Sequence, residues 1–331
     1  MKYSFIVPTY NSERWIQPCI NSILLQSYID FNLIILDSGS TDQTLNWIRS
    51  VNDSRIIIYT TEQRLDIVEN WARITTIPRN EFMTIAGHDD IFYPDYLETI
   101  NDLIVNNPEG CLYQTHFNFI DSKGEIIREC KLMKSVIDGH HFLEAILKDK
   151  IEITATGFMV RSSHYDAVGG IPTYPDLLYA DLALWHHLIL NRPLTVSSKI
   201  CFGFRTHSNN TSKSFTLQRL SAFEMIVDYF NKLKATDQQY DHLINEYGAL
   251  FLKNFVKGSC HKLIYVPRNR RNNVTIQSII ETGKKCASQL IGSNNFNPEK
   301  SPEIIFARLI DSNSFLRNIF LFWKSFYKRV Y

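Results

Sequence analysis

The chain has 331 residues, 44% hydrophobic and 21% charged, which supports one large domain or two ordinary ones and excludes a wholly disordered or collagen-like polymer. Its net charge of +1 hides an asymmetry: residues 252–331 hold 14 Lys and Arg against 4 Asp and Glu, and the first 251 hold 21 against 30, so the back suits an anionic partner. No apolar run approaches the roughly 18–20 residues that span a bilayer, no secretory signal opens the chain, and the cysteines form no Cys-x-x-Cys pair, so the expectation is a reducing cytoplasm without structural zinc or disulfides.

Tyr3–Val7 reads as a strand ending at Pro8, where a ladder donor disappears. Asn11 or Ser12 can cap the helix that follows, with Ile16, Ile20, Ile23 and Leu24 on its apolar side. Leu33–Leu36 is a second strand, and Thr41 or Asp42 can cap the helix carrying Leu45, Ile48 and Val51. Ile56–Tyr59 is a third strand, Ile67–Ile74 a helical stretch and Phe82–Ile85 a fourth strand, with a helix beginning near Pro94. Such strand–helix units predict an α/β fold, a mostly parallel sheet flanked by helices. Ligands of these sheets bind beyond the carboxyl ends of the strands, where Asn11, Asp37 and Asp89 fall.

Three strand-end segments suit a nucleoside diphosphate. Pro8-Thr9-Tyr10-Asn11 can lay backbone and an amide against a base, and Asp37 can accept from a base N–H or a ribose hydroxyl. Asp89 and Asp90, adjacent carboxylates, repel unless hydrogen bonds or a cation compensate, and Mg²⁺ or Mn²⁺ shared with phosphate oxygens is the natural cation. Taken singly, each segment reads more readily as an ordinary turn or loop.

In order, Ile6–Asn11, Asp37–Asp42, Glu69–Arg73, Ala86–Asp90, Ala180–Trp185 and Phe204–His207 resemble the motifs of family 2 glycosyltransferases with the GT-A fold. The resemblance covers roughly residues 1–215. It implies a catalytic domain over 1–215, with 1–110 binding the nucleotide-sugar and 111–215 serving acceptor and catalysis, before a basic helical region over 216–331.

The resemblance also assigns roles. Asp37 and the Pro8–Asn11 turn contact the nucleoside, and Arg73 approaches the base or phosphates or serves the helix surface. The family's Asp-x-Asp has Gly87 in its first place, leaving Asp89 as the Mn²⁺ or Mg²⁺ ligand and Asp90 either supporting that site or facing the sugar. His88 is a further ligand candidate; His207 closes over the diphosphate or completes the metal sphere, and Arg205 binds phosphate or pairs with a carboxylate. Asp181 stands where the family keeps its catalytic base, although Ala180 replaces the acid before it. An inverting transfer needs such a carboxylate to take the acceptor's hydroxyl proton. A helix N-terminus lowers the basicity of a carboxylate, so an apolar wall such as Trp185 has to offset it. Thr154–Arg161 and Gly169–Ile171 border the acceptor, Asp176 is a looser base candidate, and His116, His140 and His141 default to packing or surface roles.

The back reads as helices over Leu217–Leu233, Tyr240–Leu263 and Val274–Leu290, broken by the basic Pro267–Asn273 and by a linker at Gly292–Pro298. The aromatic tail Phe315–Tyr331 carries no acid and sets Arg317, Lys324 and Lys328 near one helical face. Residues 312–331 are then either an interfacial helix on an anionic membrane, placing the protein on its cytoplasmic face, or a helix packed on the catalytic domain. Nucleic acid is not expected, because no binding motif accompanies the charge.

The leading expectation is an inverting, metal-dependent transfer from a nucleotide-sugar donor, UDP by family frequency, to a saccharide or lipid-linked acceptor in surface-polysaccharide assembly. The alternatives are a non-catalytic nucleotide-sugar or glycan binder, suggested by Gly87 and Ala180, and a sugar nucleotidyltransferase, whose Gly-rich loop and lysine are missing after the first strand.

Overall fold

A computed structural model describes residues 2–207, 217–292 and 296–330, the side chains of 325–330 excepted. Ser208 and Asn209, linker positions 293–295 and the Lys328 side chain lie outside the described residues. The chain divides into two units, Met1–Ala145 with Lys150–Ser208, and Ile146–Asp149 with Asn209–Tyr331.

From Tyr3 to Arg205 the elements run β1 (Tyr3–Thr9), α1 (Ile16–Leu24), β2 (Phe31–Asp37), α2 (Thr44–Ser50), β3 (Ile56–Tyr59), α3 (Ile67–Ala72), β4 (Phe82–Ile85), β5 (Ile91–Phe92), α4 (Tyr96–Asn106), β6 (Leu112–Ile120), β7 (Ile126–Glu129), β8 (Val136–Ile137), α5 (Gly139–Leu147), β9 (Phe158–Arg161), α6 (Ser162–Ala167), α7 (Ala180–Leu188) and β10 (Leu194–Arg205). The sheet is ordered β3-β2-β1-β4-β9-β6-β10-β5, with β7 on β6 and β8 on β10. β3, β2, β1 and β4 pair in parallel, as do β6 and β10, while β9 lies antiparallel between β4 and β6. The sheet is therefore mostly parallel, as expected. β1 is buried at every position, which suits a strand covered on both faces and explains its unbroken apolar run. Beneath it Phe5 packs edge-on against Phe31 and Phe92, and Phe202 stacks on Phe92 and Phe117. Each such ring stabilises the unit by about 2–3 kcal/mol.

Several boundaries differ from the sequence reading. β1 does not stop at Pro8; its pairing with β2 continues to Thr9 opposite Asp37. The missing N–H lies on the β4 side, where pairing has already ended at Ile6, so no ladder bond is lost there. Neither Asn11 nor Ser12 caps α1. The helix starts after a turn in which Trp15 and Ile16 donate to the Ser12 carbonyl. α3 ends at Ala72 and tightens into a 3₁₀ turn over Arg73–Thr75. The short β5 precedes α4, which begins at Tyr96 rather than near Pro94.

In the second unit α8 (Leu217–Lys234), α9 (Gln238–Tyr265), α10 (Ile276–Ile291), α11 (Pro302–Ser312) and α12 (Ser314–Val330) pack around Phe223, Val256, Ile279 and Ile304. Gly283 on α10 lets the chain approach α9, since a Cβ there would run into Val256. Two basic residues of α12 turn inward: Arg317 donates to the carbonyls of Ile264 and Val266 at 2.8 and 3.0 Å, and Lys324 lies 3.3 Å from His261 Nε2. Phe315, Phe322 and Trp323 are 70%, 68% and 58% exposed, leaving an aromatic face outward. No helix among the described residues is long and apolar enough to cross a membrane.

Candidate active site

Chain order moves from β1 to β2 and β3 on one side and then to β4 on the other, so the strand order reverses at β1, where sheets of this kind hold ligands. The parallel strands β1, β2, β4, β6 and β10 end on one sheet edge, and antiparallel β9 begins there. That edge gathers Thr9–Asn11, Asp37, Ala86–Asp90, Thr156 and Arg205–His207.

Asp37 is fully buried. Its Oδ2 accepts from the Gly39 and Ser40 amides at 2.9 and 3.0 Å and from the Thr60 hydroxyl at 2.8 Å. Its Oδ1 is sealed from solvent and has no hydrogen-bond partner among the described residues. Leaving such an atom unmatched costs roughly 1–3 kcal/mol, which a ligand donor would recover. Arg73 donates through Nη1 to the Asp37 carbonyl and to Asn70 Oδ1, both at 2.9 Å. It therefore braces this strand end instead of serving a helix surface, and burial pulls its pKa down against the opposing charge of Asp37.

The Pro8–Asn11 residues divide in their duties. Pro8 and Thr9 are buried within β1, and the Thr9 hydroxyl meets that of Ser12. Asn11, at φ 45°, accepts through Oδ1 from the Thr41 amide at 2.8 Å and so ties the β1 turn to the β2 turn. Tyr10 is half-buried, with the Arg64 guanidinium 4.5 Å from its ring centroid.

At the β4 end, Asp89 Oδ2 lies 2.8 Å from His207 Nε2. Burial raises the Asp89 pKa, but the hydrogen bond from His207 and the charges of His88 and His207 outweigh it and hold the carboxyl below its ordinary range. Asp90 is the reverse case, pushed well up by burial and then by the charge of Asp89. Its Oδ1 accepts from the Arg205 amide at 2.7 Å. Arg205 is 3% exposed and donates to the carbonyls of Asp89 and Asp121 at 2.6 and 2.8 Å. These bonds make it a brace for the β4 turn. Gly87 leaves room for its neighbours: a Cβ there would lie 2.6 Å from Asp90 Oδ2 and 3.0 Å from Thr156 Oγ1, so those side chains would have to shift.

Among the described residues no three His, Cys, Asp or Glu side chains group to hold a metal ion unaided. Asp89 nevertheless offers an oxygen donor that fits Mn²⁺ or Mg²⁺ when ligand oxygens complete the sphere, and His207 Nε2 would join it on giving up the proton it now donates to Asp89. Sequence reasoning missed Trp15, whose ring stacks on His207 at 5.4 Å and 18° and lies 4.7 Å from the Arg205 guanidinium. It also missed Thr60, and placed Thr156 only in the segment bordering the acceptor, because hydroxyls that bond a turn leave no periodic signal.

Asp181 opens α7, where Leu182 N donates to its Oδ1 at 2.8 Å. Burial pushes its pKa up to about 6 despite that bond, so desolvation overrides the helix dipole. Trp185, one turn on, is fully buried against Phe142 and Phe158. Ala180 is 0% exposed, so an acid there would be buried too. The approach to α7 holds Asp176, Leu177 and Tyr179 at φ 52°, 54° and 63°, a strained run. Its Pro175–Leu177 turn packs on α3, the helix that leads to Arg73. His116 is structural: Nδ1 meets the Ser197 carbonyl at 2.7 Å, and Nε2 accepts from Met133 N at 2.9 Å.

Residues 4–166 match the family model described as Glycosyl transferase family 2. Chondroitin synthase of Pasteurella multocida is 24% identical over 257 residues, covering 73% of this chain and 24% of that protein. The Escherichia coli protein WfgD, a UDP-Glc:alpha-D-GlcNAc-diphosphoundecaprenol beta-1,3-glucosyltransferase, is 28% identical over 110 residues, covering 33% of this chain and 44% of that one. The chain thus spans less than half the length of these relatives. Staphylococcus aureus TarS 1–349 with UDP superposes with a TM-score of 0.65 at 16% identity, covering 94% of this chain and 88% of that one. The mannosyltransferase PcManGT of Pyrobaculum calidifontis, with GDP-Man and Mn²⁺, gives 0.53 at 13% identity, covering 93% and 86%. The fold is GT-A.

Proposed function

Residues 4–166 belong to glycosyl transferase family 2, and from that premise we propose that this chain is an inverting, metal-dependent transferase moving a sugar from UDP to a saccharide or lipid-linked acceptor in polysaccharide assembly. The observation that carries the reading is the convergence of Asp37, Asp89 and His207 on one edge of the sheet. UDP and the lipid-linked acceptor are supported by the name of WfgD, and polysaccharide assembly by that of the chondroitin synthase.

Asp37 Oδ1 receives a donor from the nucleoside, flanked by Tyr10 and the braced Asn11 turn. Asp89 and His207 would hold Mn²⁺ or Mg²⁺, which when bound offsets charge on the departing diphosphate. Burial and the charge of Asp89 both disfavour a second charge on Asp90, whose Oδ1 accepts from the Arg205 amide, and the Arg205 cation lies behind the same turn. Asp181 takes the acceptor's proton as that oxygen bonds to the anomeric carbon and the sugar–diphosphate bond breaks on the opposite side. A pKa near 6 leaves it ionised yet basic at neutral pH.

Nucleotide release from UDP-, GDP- and dTDP-sugars with Mn²⁺ or Mg²⁺ tests this. UDP-sugar turnover that Asp89→Ala abolishes is expected; unchanged donor affinity in that variant, with and without EDTA, counts against the metal role. A non-catalytic binder is the second reading, raised by Gly87 and Ala180, and binding without turnover of any donor would favour it.

A further inference from the structure

We infer that Trp15 is a positioning residue that sets His207 and Arg205 against Asp89. Its indole stands at the start of α1, and its backbone is fixed at both ends: Trp15 N donates to the Ser12 carbonyl at 2.8 Å, and its own carbonyl accepts from Cys19 N at 3.2 Å. The turn beneath is anchored in turn, because Ser12 N donates to Thr44 Oγ1 at 2.8 Å. The ring therefore projects from a rigid base.

Three groups use it. The His207 imidazole lies nearly parallel to it, with centroids 5.4 Å apart, and the guanidiniums of Arg205 and Arg14 lie 4.7 and 4.4 Å from its centroid. His207 then meets Asp89 Oδ2 at 2.8 Å, while Arg205 Nε holds the Asp89 carbonyl at 2.6 Å. One indole thus orients both side chains that grip Asp89, one by its carboxylate and one by its backbone. Stacking on the indole restrains rotation of the His207 ring. Pre-setting a ligand nitrogen spares ordering entropy when the site is filled.

The test uses the full chain and two variants, Trp15→Ala and Trp15→Phe. Its first arm is metal-free: ¹⁵N-histidine NMR, with the His207 signal identified by its loss in His207→Gln. Trp15→Ala should shift the His207 Nε2 resonance toward that of a free imidazole, and Trp15→Phe should hold it near wild type. The second arm rests on the metal role proposed for Asp89 and His207, and measures Mn²⁺ affinity by calorimetry. Trp15→Ala should weaken it about tenfold and Trp15→Phe less than threefold. An unmoved His207 resonance in Trp15→Ala overturns the inference, as does Mn²⁺ affinity kept by Trp15→Ala but lost by Asp89→Ala. Should Asp89→Ala itself bind Mn²⁺ like wild type, the metal reading falls and the NMR arm alone decides on Trp15.

Discussion

At the scale of single residues, the carboxyl of Asp181 is the most informative. Its pKa is raised to about 6 in the folded protein, against roughly 3.9 unfolded, so burial favours the neutral form. The stability this group contributes is full below pH 4 and lost as pH rises through 6, leaving a deficit of about 3 kcal/mol at neutral pH. Asp181→Asn keeps an Oδ1 for Leu182 N and removes the charge. It should raise the melting temperature at pH 7.5, with the gain vanishing by pH 4, while transfer is abolished and UDP affinity is retained. Equal melting at pH 7.5, or near-wild-type turnover, would remove Asp181 from the proposed role. In the wild type, kcat/KM should fall tenfold per pH unit below about 6 as the base protonates. Gly87 makes the complementary case. Restoring the family's acid with Gly87→Asp forces a Cβ to within 2.6 Å of Asp90 Oδ2, and should cost about 2–3 kcal/mol by overpacking, read from the urea midpoint. An unchanged midpoint would mean that the turn yields freely.

At the scale of elements, what the sequence made legible was what repeats along it. β3 and β4 fell on the predicted residues because short apolar runs between turn residues announce strands, whether half-buried like β3 or fully buried like β4. β5 and β9 did not, since β5 is two residues long and the pairing of β9 between β4 and β6 is a tertiary fact. The same division runs through the site. Asp37 and Asp89 were visible as strand-end residues and His207 through the family resemblance, and the structure gathers them on one edge. The bracing of Arg205 and the stacking of Trp15 were not visible, because their partners lie far away in the chain. Asn11 shows how such a brace can be tested. Its Oδ1 links the β1 and β2 turns through the Thr41 amide at 2.8 Å and the Asp42 amide at 3.4 Å. Asn11→Ala should weaken UDP binding about tenfold, the loss of one to two net hydrogen bonds, with kcat held at saturating donor. If binding is unchanged and kcat falls instead, Asn11 acts on the chemistry and not on the turn.

At the scale of the whole molecule, part of the positive charge of residues 252–331 is taken up within the second unit, while Lys253, Arg270 and Lys300 are among the basic side chains left exposed. Arg317 and Lys324 are spent on α9, and Arg271 pairs with Asp311 at 2.8 Å. What α12 displays is aromatic: Phe315, Phe322 and Trp323, beside Ile305 and Leu309 of α11. If this face meets a membrane bearing a lipid-linked acceptor, apolar transfer carries most of the affinity, at about 1.5–3 kcal/mol per fully buried large side chain. Charge adds on the order of 1 kcal/mol per basic group near the surface. The two contributions separate with salt, because only the second is screened. Phe315→Ser with Phe322→Ser, both at exposed positions, should leave folding and transfer to a soluble acceptor intact. The pair should reduce sedimentation with phosphatidylglycerol vesicles more than tenfold at both 50 mM and 500 mM salt. Deleting residues 312–331 should do the same at low salt. Partitioning that neither change alters would assign α12 to packing within its own unit, and binding that only salt abolishes would return the role to the basic residues.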